Sequence, residues 1–187
     1  EAIRFRKALA KGAKHALPHV TIQPSEIAFL QYTGGTTGVS KGAMLSHSNL
    51  VANMQQSSSW IGKNAKEGSE VIITALPLYH IFALTANCLV FMKFGGLNYL
   101  ITNPRDFESF AREMARYRFN LFTAVNTMFA ALMHTKNFSR INFSALRVCV
   151  GGGMAVQPAI AKEWRERTGT PILQGYGLTE TSPVAIV

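Results

Sequence analysis

Residues 32–42 have the composition of a phosphate-binding loop. They read Tyr-Thr-Gly-Gly-Thr-Thr-Gly-Val-Ser-Lys-Gly, so four glycines, three threonines and Lys41 fall within eleven positions. Glycines let the backbone approach an anion closely, and consecutive backbone N–H groups can form an anion-binding nest. Threonine hydroxyls add hydrogen-bond donors, and Lys41 adds a compact positive charge. The stretch therefore predicts a cradle for a polyphosphate.

The same stretch matches neither of the two common nucleotide-loop motifs. A P-loop requires Gly-Lys followed by Ser or Thr, whereas here Ser40 precedes Lys41 and Gly42 follows it. The dinucleotide spacing Gly-x-Gly-x-x-Gly does not occur in this stretch either. A flexible surface loop without a ligand is the alternative at this point.

The chain around this stretch alternates apolar runs with segments of helical periodicity, which predicts an α/β fold. Apolar runs without polar alternation are typical of strands in a mostly parallel sheet that helices cover on both faces. The predicted strands are 27–33, 71–76, 97–101, 119–125, 146–150 and 171–173, and the predicted helices are 2–14, 47–61, 81–93, 107–117, 127–135 and 156–168. We expect the first strand to be buried like the others.

Single residues at the ends of these segments predict where helices begin and end. Ser46 and Asp106 are predicted N-caps, because their side chains can accept a hydrogen bond from the first turn. Pro158 fits an early helical turn, and Gly169 can terminate the same helix.

Three glycine-rich segments, 34–42, 151–153 and 175–177, each directly follow a predicted strand. Ligands of parallel α/β sheets bind beyond the carboxyl ends of the strands. We therefore expect the three segments to meet at one edge of the sheet and to form a nucleotide site.

Composition and charge set broad limits on function. The chain has 187 residues, of which 48% are hydrophobic and 16% charged, enough for one domain with a core. The net charge is +9, and five of the 19 basic residues lie in the first 14 positions. Residues 1–26 are accordingly predicted to be a basic lead-in, either a solvated segment or a binding arm. Nucleic acid, acidic lipid and anionic nucleotide are all compatible with this charge.

The cysteines and the termini suggest a piece of an intracellular protein. Cys88 and Cys149 lie in apolar surroundings without metal-ligand spacing, which predicts two buried free thiols in a reducing compartment. We expect no signal peptide, and the most apolar stretch, 81–92, is too short to cross a bilayer. The chain begins without Met and stops at Val187 inside an apolar run, so we expect it to be part of a longer protein.

Four segments together resemble the signature segments of the adenylate-forming enzymes, in the same order and at similar spacing. Residues 32–42 resemble the phosphate loop, and Pro-Leu-Tyr-His-Ile-Phe at 77–82 resembles the segment that follows it. Gly-Gly-Gly-Met at 151–154 resembles the adenine-side glycine turn, and Gln-Gly-Tyr-Gly-Leu-Thr-Glu-Thr at 174–181 resembles the nucleotide and metal segment. In the phosphate loop, Gly34 and Ser40 depart from the commonest pattern, in which Ser and Pro stand at these positions.

The connecting sequence is also similar to that of bacterial long-chain fatty-acid–CoA ligases, over nearly the whole chain. Examples are Gly-Ala-Met-Leu-Ser-His at 42–47 and Ile-Thr-Asn-Pro-Arg-Asp at 101–106. This resemblance implies that a fatty carboxylate attacks the α-phosphate of ATP to give an acyl-adenylate, and that coenzyme A then displaces AMP. It implies ATP and Mg²⁺ as cofactors, and a long-chain fatty acid and coenzyme A as substrates.

The resemblance also assigns residues to this chemistry. It implies phosphate contacts for Thr33, Gly34, Gly35, Thr36, Thr37, Gly38, Lys41 and Thr179, nucleotide contacts for Gly151, Gly152, Gly153, Gly175, Tyr176 and Gly177, a Mg²⁺ contact for Glu180 and a carboxylate contact for His80. The expected catalytic residues are Thr179, Glu180, Lys41 and His80. The alternatives are a helix-capping acid for Glu180, a structural side chain for Tyr176 and a core histidine for His80.

Two other functions are compatible with these residues. An adenylating enzyme could pass its acyl group to a carrier protein, and a nucleotide-binding module could lack catalysis altogether. Lys41 together with Glu180 argues against the second, because a pure binder has less need of a metal ligand and a phosphate charge. The apolar segment 81–94 would either line an acyl tunnel or serve packing alone.

The resemblance finally implies the context of the chain. Residues 27–187 would form the central part of the N-terminal AMP-binding domain, without the small C-terminal domain, so we expect the chain alone to be inactive. The whole protein would be cytoplasmic, with peripheral association at the inner face of the cell membrane and no nucleic acid partner. A homodimer is also compatible with the resemblance.

Overall fold

A five-stranded parallel sheet forms the centre of the computed structural model, which describes residues 2–33 and 40–187. The strands of the described residues are β1 (Ile27–Thr33), β2 (Lys41–Ser46), β3 (Val71–Thr74), β4 (Leu97–Leu100), β5 (Leu121–Ala124), β6 (Val148–Gly151), β7 (Ile172–Gln174), β8 (Tyr176–Gly177) and β9 (Val184–Ile186). The parallel sheet has the order β4-β3-β5-β6-β7, while β1 pairs with β2 and β8 pairs with β9 in two antiparallel hairpins.

Helices connect the strands of the parallel sheet, as predicted. The α-helices of the described residues are α1 (Phe5–Gly12), α2 (His47–Ile61), α3 (Ile81–Ala83), α4 (Val90–Phe94), α5 (Phe107–Met114), α6 (Asn126–Met133) and α7 (Pro158–Thr168), of which α3 to α7 lie between strands of the parallel sheet. A π-helical stretch, Leu84–Leu89, joins α3 to α4 into one continuous helical segment. Within the described residues, no helix has the length and apolar composition needed to span a bilayer.

Neighbouring residues of each strand point to opposite faces of the sheet, and helices pack against the apolar side chains on both faces. On one side, α2 and α4 pack against Ile72, Leu121 and Val148. On the other side, α5, α6 and α7 pack against the next residue of each strand, namely Ile73, Phe122 and Cys149. This arrangement confirms the predicted α/β class with a parallel sheet between helical layers.

The strand order places a crevice between β3 and β5. The chain moves outward from β3 to β4, then returns to the opposite side of β3 and continues through β5, β6 and β7. The connections leaving β3 and β5 therefore separate onto opposite faces of the sheet. Ligands of open α/β sheets bind at such a reversal, beyond the carboxyl ends of the strands.

The first strand differs from the prediction of a buried strand. β1 pairs antiparallel with β2, with Thr33 opposite Lys41, and most of its residues are exposed. Only a short stretch of chain separates the two strands, so they can pair only as a hairpin, since parallel pairing needs a long crossover. The hairpin packs against the rest of the chain through a small cluster that includes Leu45, Leu50 and Ile81.

The predicted helix ends are confirmed. Ser46 accepts a hydrogen bond from the backbone of Asn49 in a capping box, and Asp106 accepts one from Ser109. Pro158 is the first residue of α7, which ends at Gly169 with a φ of 77°. The prediction of two buried thiols is only half correct, because Cys149 is buried whereas Cys88, in the π-helical stretch, is partly exposed.

Candidate active site

A cavity of about 250 Å³ lies between the α2 face of the sheet and the helical segment after β3, and it reaches the carboxyl ends of β5 and β6. It occupies the crevice that the strand order creates. Seven of the predicted site residues line it: His80, Gly152, Gly153, Gly175, Tyr176, Gly177 and Thr179. Thr33, Lys41, Gly151 and Glu180 do not lie in its wall, and Gly34, Gly35, Thr36, Thr37 and Gly38 lie outside the described residues.

Backbone hydrogen bonds hold the two later glycine segments together at the edge of the sheet. The N–H of Gly175 donates to the carbonyl oxygen of Gly151 at 2.8 Å, and the N–H of Gly152 donates to that of Ala124 at 3.3 Å. These two segments meet as predicted. Most of the first glycine segment lies outside the described residues. The strand that precedes it belongs to the β1–β2 hairpin rather than to the parallel sheet.

Gly152 allows a close approach in the cavity wall. A Cβ atom at this position would lie 2.9 Å from Cε1 of Phe82 and 3.3 Å from the carbonyl oxygen of Gly175. Phe82 itself lines the cavity, so a side chain at residue 152 would push this ring into the space available to a ligand.

His80 is positioned by the start of the helical segment that follows β3. It is the N-cap of α3, and its Nδ1 accepts a hydrogen bond from the backbone N–H of Phe82 at 3.3 Å. In the neutral ring the proton therefore resides on Nε2, which is the donor that His80 can offer to a ligand. The residue is exposed, which excludes a buried core histidine.

The segment after β7 forms one rim of the cavity. Tyr176 opens the β8–β9 hairpin with 60% of its surface exposed, and the 3₁₀ turn Thr179–Thr181 follows it. Ser182 then adopts a left-handed φ of 71°, which turns the chain toward β9. Thr179 is half-buried in the cavity wall, whereas Glu180 is exposed beside it.

Glu180 is the residue expected to hold a magnesium ion, and its surroundings fit that role. It is exposed on its turn, and the ion pairs of the described residues do not include it. Mg²⁺ is usually held by one or two carboxylates together with substrate phosphates. The part of the chain that the structure describes contains no cluster of three or more His, Cys, Asp or Glu that could hold a metal ion unaided.

The base of the predicted phosphate loop is closed by side chains as well as by strand pairing. The hydroxyl of Thr33 donates to the carbonyl oxygen of Lys41 at 3.3 Å. The hydroxyl of Ser40 donates to the carbonyl oxygen of Thr33, also at 3.3 Å. Gln31 anchors the hairpin by donating to the carbonyl oxygen of Tyr79 at 2.7 Å. The hairpin is thereby fixed next to the loop that carries His80.

The inner part of the cavity is apolar. Its wall is formed by Trp60, Ile61, Ile72, Phe91, Leu121 and Val148. Ser57 also lines it, and its buried hydroxyl has no hydrogen-bond partner among the residues that the structure describes. Sequence reasoning missed the contribution of α2, although Ser57 and Ile61 have the four-residue spacing of one helix face.

The ionisable groups with clearly shifted pKa values lie elsewhere. Burial raises the pKa of the Cys149 thiol. Hydrogen bonds from the side chain and backbone of Ser109 lower the pKa of Asp106, and the backbone N–H of Lys136 lowers that of Glu108. None of these three residues lines the cavity, so their shifts concern the fold rather than the site.

Comparison with known sequences gives one consistent family. Residues 2–187 match the family described as AMP-binding enzyme. A long-chain-fatty-acid–CoA ligase of Escherichia coli O6:H1 is 50% identical over 187 residues, which cover 100% of this chain and 33% of that protein. A ligase of the same description from Bacillus subtilis is 33% identical over 159 residues, which cover 85% of this chain and 28% of that protein. The chain spans about a third of the length of these curated relatives.

Solved structures with this fold include nucleotide complexes. ATP-bound MatB from Rhodopseudomonas palustris superimposes with a TM-score of 0.77 at 27% identity, covering 94% of this chain and 34% of that one. The anthranilate CoA ligase AuaEII in complex with anthranoyl-AMP gives a TM-score of 0.81 at 25% identity, covering 90% and 32%. The sequence match over residues 2–187, the parallel sheet and the cavity at its carboxyl edge agree, and the chain belongs to the AMP-binding enzyme family.

Proposed function

We propose that the protein containing this chain activates a long-chain fatty acid with ATP and Mg²⁺ and transfers the acyl group to coenzyme A. The observation that carries the proposal is a single cavity whose rim has Thr179 and His80 and whose inner wall is apolar. The 50% identity to a long-chain-fatty-acid–CoA ligase over all 187 residues supports the same substrates. Residues 27–187 would form the centre of the AMP-binding domain, with 1–26 as its lead-in.

In the proposed reaction, a carboxylate oxygen of the fatty acid attacks the α-phosphorus of ATP. The bond from that phosphorus to the oxygen bridging to the β-phosphate breaks, which gives acyl-adenylate and pyrophosphate. The thiol of coenzyme A loses its proton to solvent, and its sulfur attacks the acyl carbonyl carbon. The bond from that carbon to the phosphate oxygen breaks, and AMP leaves. The protein contributes mainly by positioning the reactants and neutralising charge.

The residues at and beside the cavity rim would have distinct roles in this reaction. Tyr176 and the backbone at 152–153 would hold the adenine, and the hydroxyl of Thr179 would donate to the α-phosphate. The Nε2–H of His80 would donate to the substrate carboxylate and orient it. Lys41 would hold the outgoing phosphates together with the loop that precedes it. Glu180 would bind Mg²⁺, which when bound neutralises charge on the phosphates.

The apolar inner wall would hold the acyl chain. Each buried CH₂ group contributes about 0.8 kcal/mol, so a long chain gains far more from this wall than a short one. Ala86 and Phe91, both in the helical segment after β3, contribute to the wall. Under this proposal, that segment serves as a lining of the acyl site as well as a packing element.

We further propose that the whole protein works on the cytoplasmic side of the membrane and touches its surface. Support comes from α1, which has no buried residue and carries Arg6, Lys7 and Lys11 together with exposed Phe5. A basic helix with exposed apolar side chains suits the surface of anionic lipids.

The proposed activity can be tested on the full-length protein with palmitate, ATP and Mg²⁺. We expect pyrophosphate release that depends on palmitate, and palmitoyl-CoA once coenzyme A is added. Nucleotide binding without palmitate-dependent pyrophosphate release would support a non-catalytic module instead. Release of pyrophosphate with transfer only to an acyl carrier protein would place the enzyme in the other adenylating class.

A further inference from the structure

The turn that carries Thr179 and Glu180 is held from outside by two buried side chains. Asn53 of α2 is only 5% exposed, and its Nδ2 donates to the carbonyl oxygens of Val184, at 2.7 Å, and Thr181, at 3.3 Å. Its Oδ1 accepts from the backbone N–H of Val184 at 3.3 Å. Both N–H hydrogens and the oxygen of this side-chain amide thus form hydrogen bonds with the backbone of residues 181 and 184.

Thr85 holds the same stretch from a second helical element. It is fully buried in the π-helical stretch, and its hydroxyl donates to the carbonyl oxygen of Ser182 at 3.1 Å. Within the described residues, Asn53 and Thr85 make all the side-chain hydrogen bonds that reach residues 181–184 from other elements. We call these two side chains the turn clamp.

The position of Asn53 links the clamp to the predicted phosphate loop. α2 begins at the Ser46 cap, immediately after β2, and β2 starts at Lys41. β2 also lies against the Thr179–Thr181 turn. Through Asn53, α2 therefore connects the strand that begins at Lys41 to the turn that carries Thr179 and Glu180.

The amide of Asn53 is buried and therefore needs hydrogen-bond partners. A buried polar group without partners costs about 1–3 kcal/mol, so Asn53 is tolerated in α2 because the turn satisfies it. An apolar residue would pack at the same place without that requirement. A residue needed only for packing would not have to direct three hydrogen bonds at one turn.

We propose that Asn53, together with Thr85, is a positioning residue that fixes Thr179 and Glu180 relative to Lys41. It touches no substrate and acts through the turn. The catalytic consequence of this role depends on the proposed adenylation reaction, whereas its effect on the turn does not. A misplacement of about 1 Å at a reacting centre can cost about 100-fold in rate.

The first test replaces Asn53 by Leu in the full-length protein, which removes the hydrogen bonds and keeps a side chain of similar length. We expect kcat for palmitate-dependent pyrophosphate release to fall about 100-fold, with little change in KM for palmitate. Ser58→Ala is the matched control, because Ser58 is 4% exposed on the same helix and, among the described residues, its hydroxyl bonds only within α2, to the carbonyl oxygen of Met54. Equal losses in the two variants would show that Asn53 has no more than a structural role.

The second test measures the turn itself by hydrogen–deuterium exchange without substrates. We expect exchange in residues 178–187 to rise about tenfold in Asn53→Leu, while the strands β5 and β6 stay protected as in the wild type. Thr85→Val keeps the shape of the side chain and should raise exchange in the same segment, which covers the case in which Asn53→Leu fails to fold. Unchanged exchange there in every folded clamp variant would overturn the proposal.

These measurements separate the clamp from the proposed function. A wild-type protein that releases no pyrophosphate with palmitate would contradict the function, and the exchange experiment would still decide on the clamp. Conversely, an active wild-type protein together with unchanged exchange in the folded clamp variants would support the proposed function and contradict the proposed role of the clamp.

Discussion

At the scale of single residues, one hydrogen bond decides what His80 can do. Because Phe82 donates to Nδ1, the neutral ring presents its Nε2–H, which can bind a carboxylate oxygen. We expect His80→Ala to lower kcat for pyrophosphate release by the full-length protein about 100-fold, as for the loss of one preorganised donor. His80→Gln should retain more activity, since its amide can donate from a similar position.

The control for His80 is His134→Ala, which changes an exposed histidine at the end of α6, outside the cavity wall. It should leave kcat unchanged. If kcat of His80→Ala equalled kcat of His134→Ala, the proposed contact with the substrate carboxylate would be wrong.

The residues that sequence motifs could predict are those on the rim of the cavity. His80, Tyr176 and Thr179 stand in recognisable segments, and the structure brings them to one cavity. Asn53 and Thr85 belong to no such segment, because their role depends on which backbone groups the fold places opposite them. A signal was nevertheless present, since Asn53 stands on the apolar face of α2, between Leu50 and Met54.

At the scale of elements, helix ends were predictable and the first hairpin was not. Caps such as Ser46 and Asp106 act through hydrogen bonds within four residues, so local sequence contains the whole signal. The partner of β1 depends instead on how the chain returns after residue 33. β2 begins with Lys41 and Gly42, neither of which favours strands, so the sequence pattern does not predict this strand.

The helical segment after β3 gives a prediction about substrate choice. Ala86 lines the cavity, so Ala86→Leu should fill space that the acyl chain needs. We expect kcat/KM for palmitate to fall about tenfold or more in the full-length protein, while that for butyrate changes little, since overpacking costs about 1–3 kcal/mol. The matched control is Ala159→Leu, on the exposed side of α7, which should leave both values unchanged. An equal loss for both acids in Ala86→Leu would argue against an acyl site there.

The contact between α5 and the turn after α6 should depend on pH. Glu108 accepts hydrogen bonds from the backbone N–H of Lys136 and from the side chain of Asn137, and these lower its pKa. A lowered folded-state pKa gives stability that is present above the unfolded-state pKa and is lost as pH falls through the folded-state value. We therefore expect Glu108→Gln to flatten the acid dependence of urea denaturation below about pH 4.3. An acid dependence identical to that of the wild type would refute this contribution.

At the scale of the whole molecule, the two ends of the parallel sheet have different tasks. The carboxyl end holds the cavity rim with His80 and Thr179, while the inner wall of the cavity extends along the sheet to Leu121 and Val148. The amino end holds a buried carboxylate, Glu70, which is 1% exposed just before β3. Arg147, just before β6, donates to both oxygens of Glu70, and the backbone N–H of Lys66 donates to one of them. Asn120, just before β5, accepts from the N–H of Val71 at 3.0 Å. Polar contacts thus fix the strand starts at the end opposite the cavity rim.

This division predicts that stability and catalysis can be changed separately. Arg147→Ala would leave a buried carboxylate with fewer partners, and we expect the free energy of unfolding in urea to fall by about 2 kcal/mol. At temperatures where the variant stays folded, kcat for pyrophosphate release should equal that of the wild type, because the cavity rim with His80 and Thr179 lies at the opposite end of the sheet from Arg147. Asn53→Leu should show the opposite balance, with a larger loss of kcat than of stability. A parallel loss of kcat and stability in Arg147→Ala would mean that the amino end of the sheet also controls the geometry of the site.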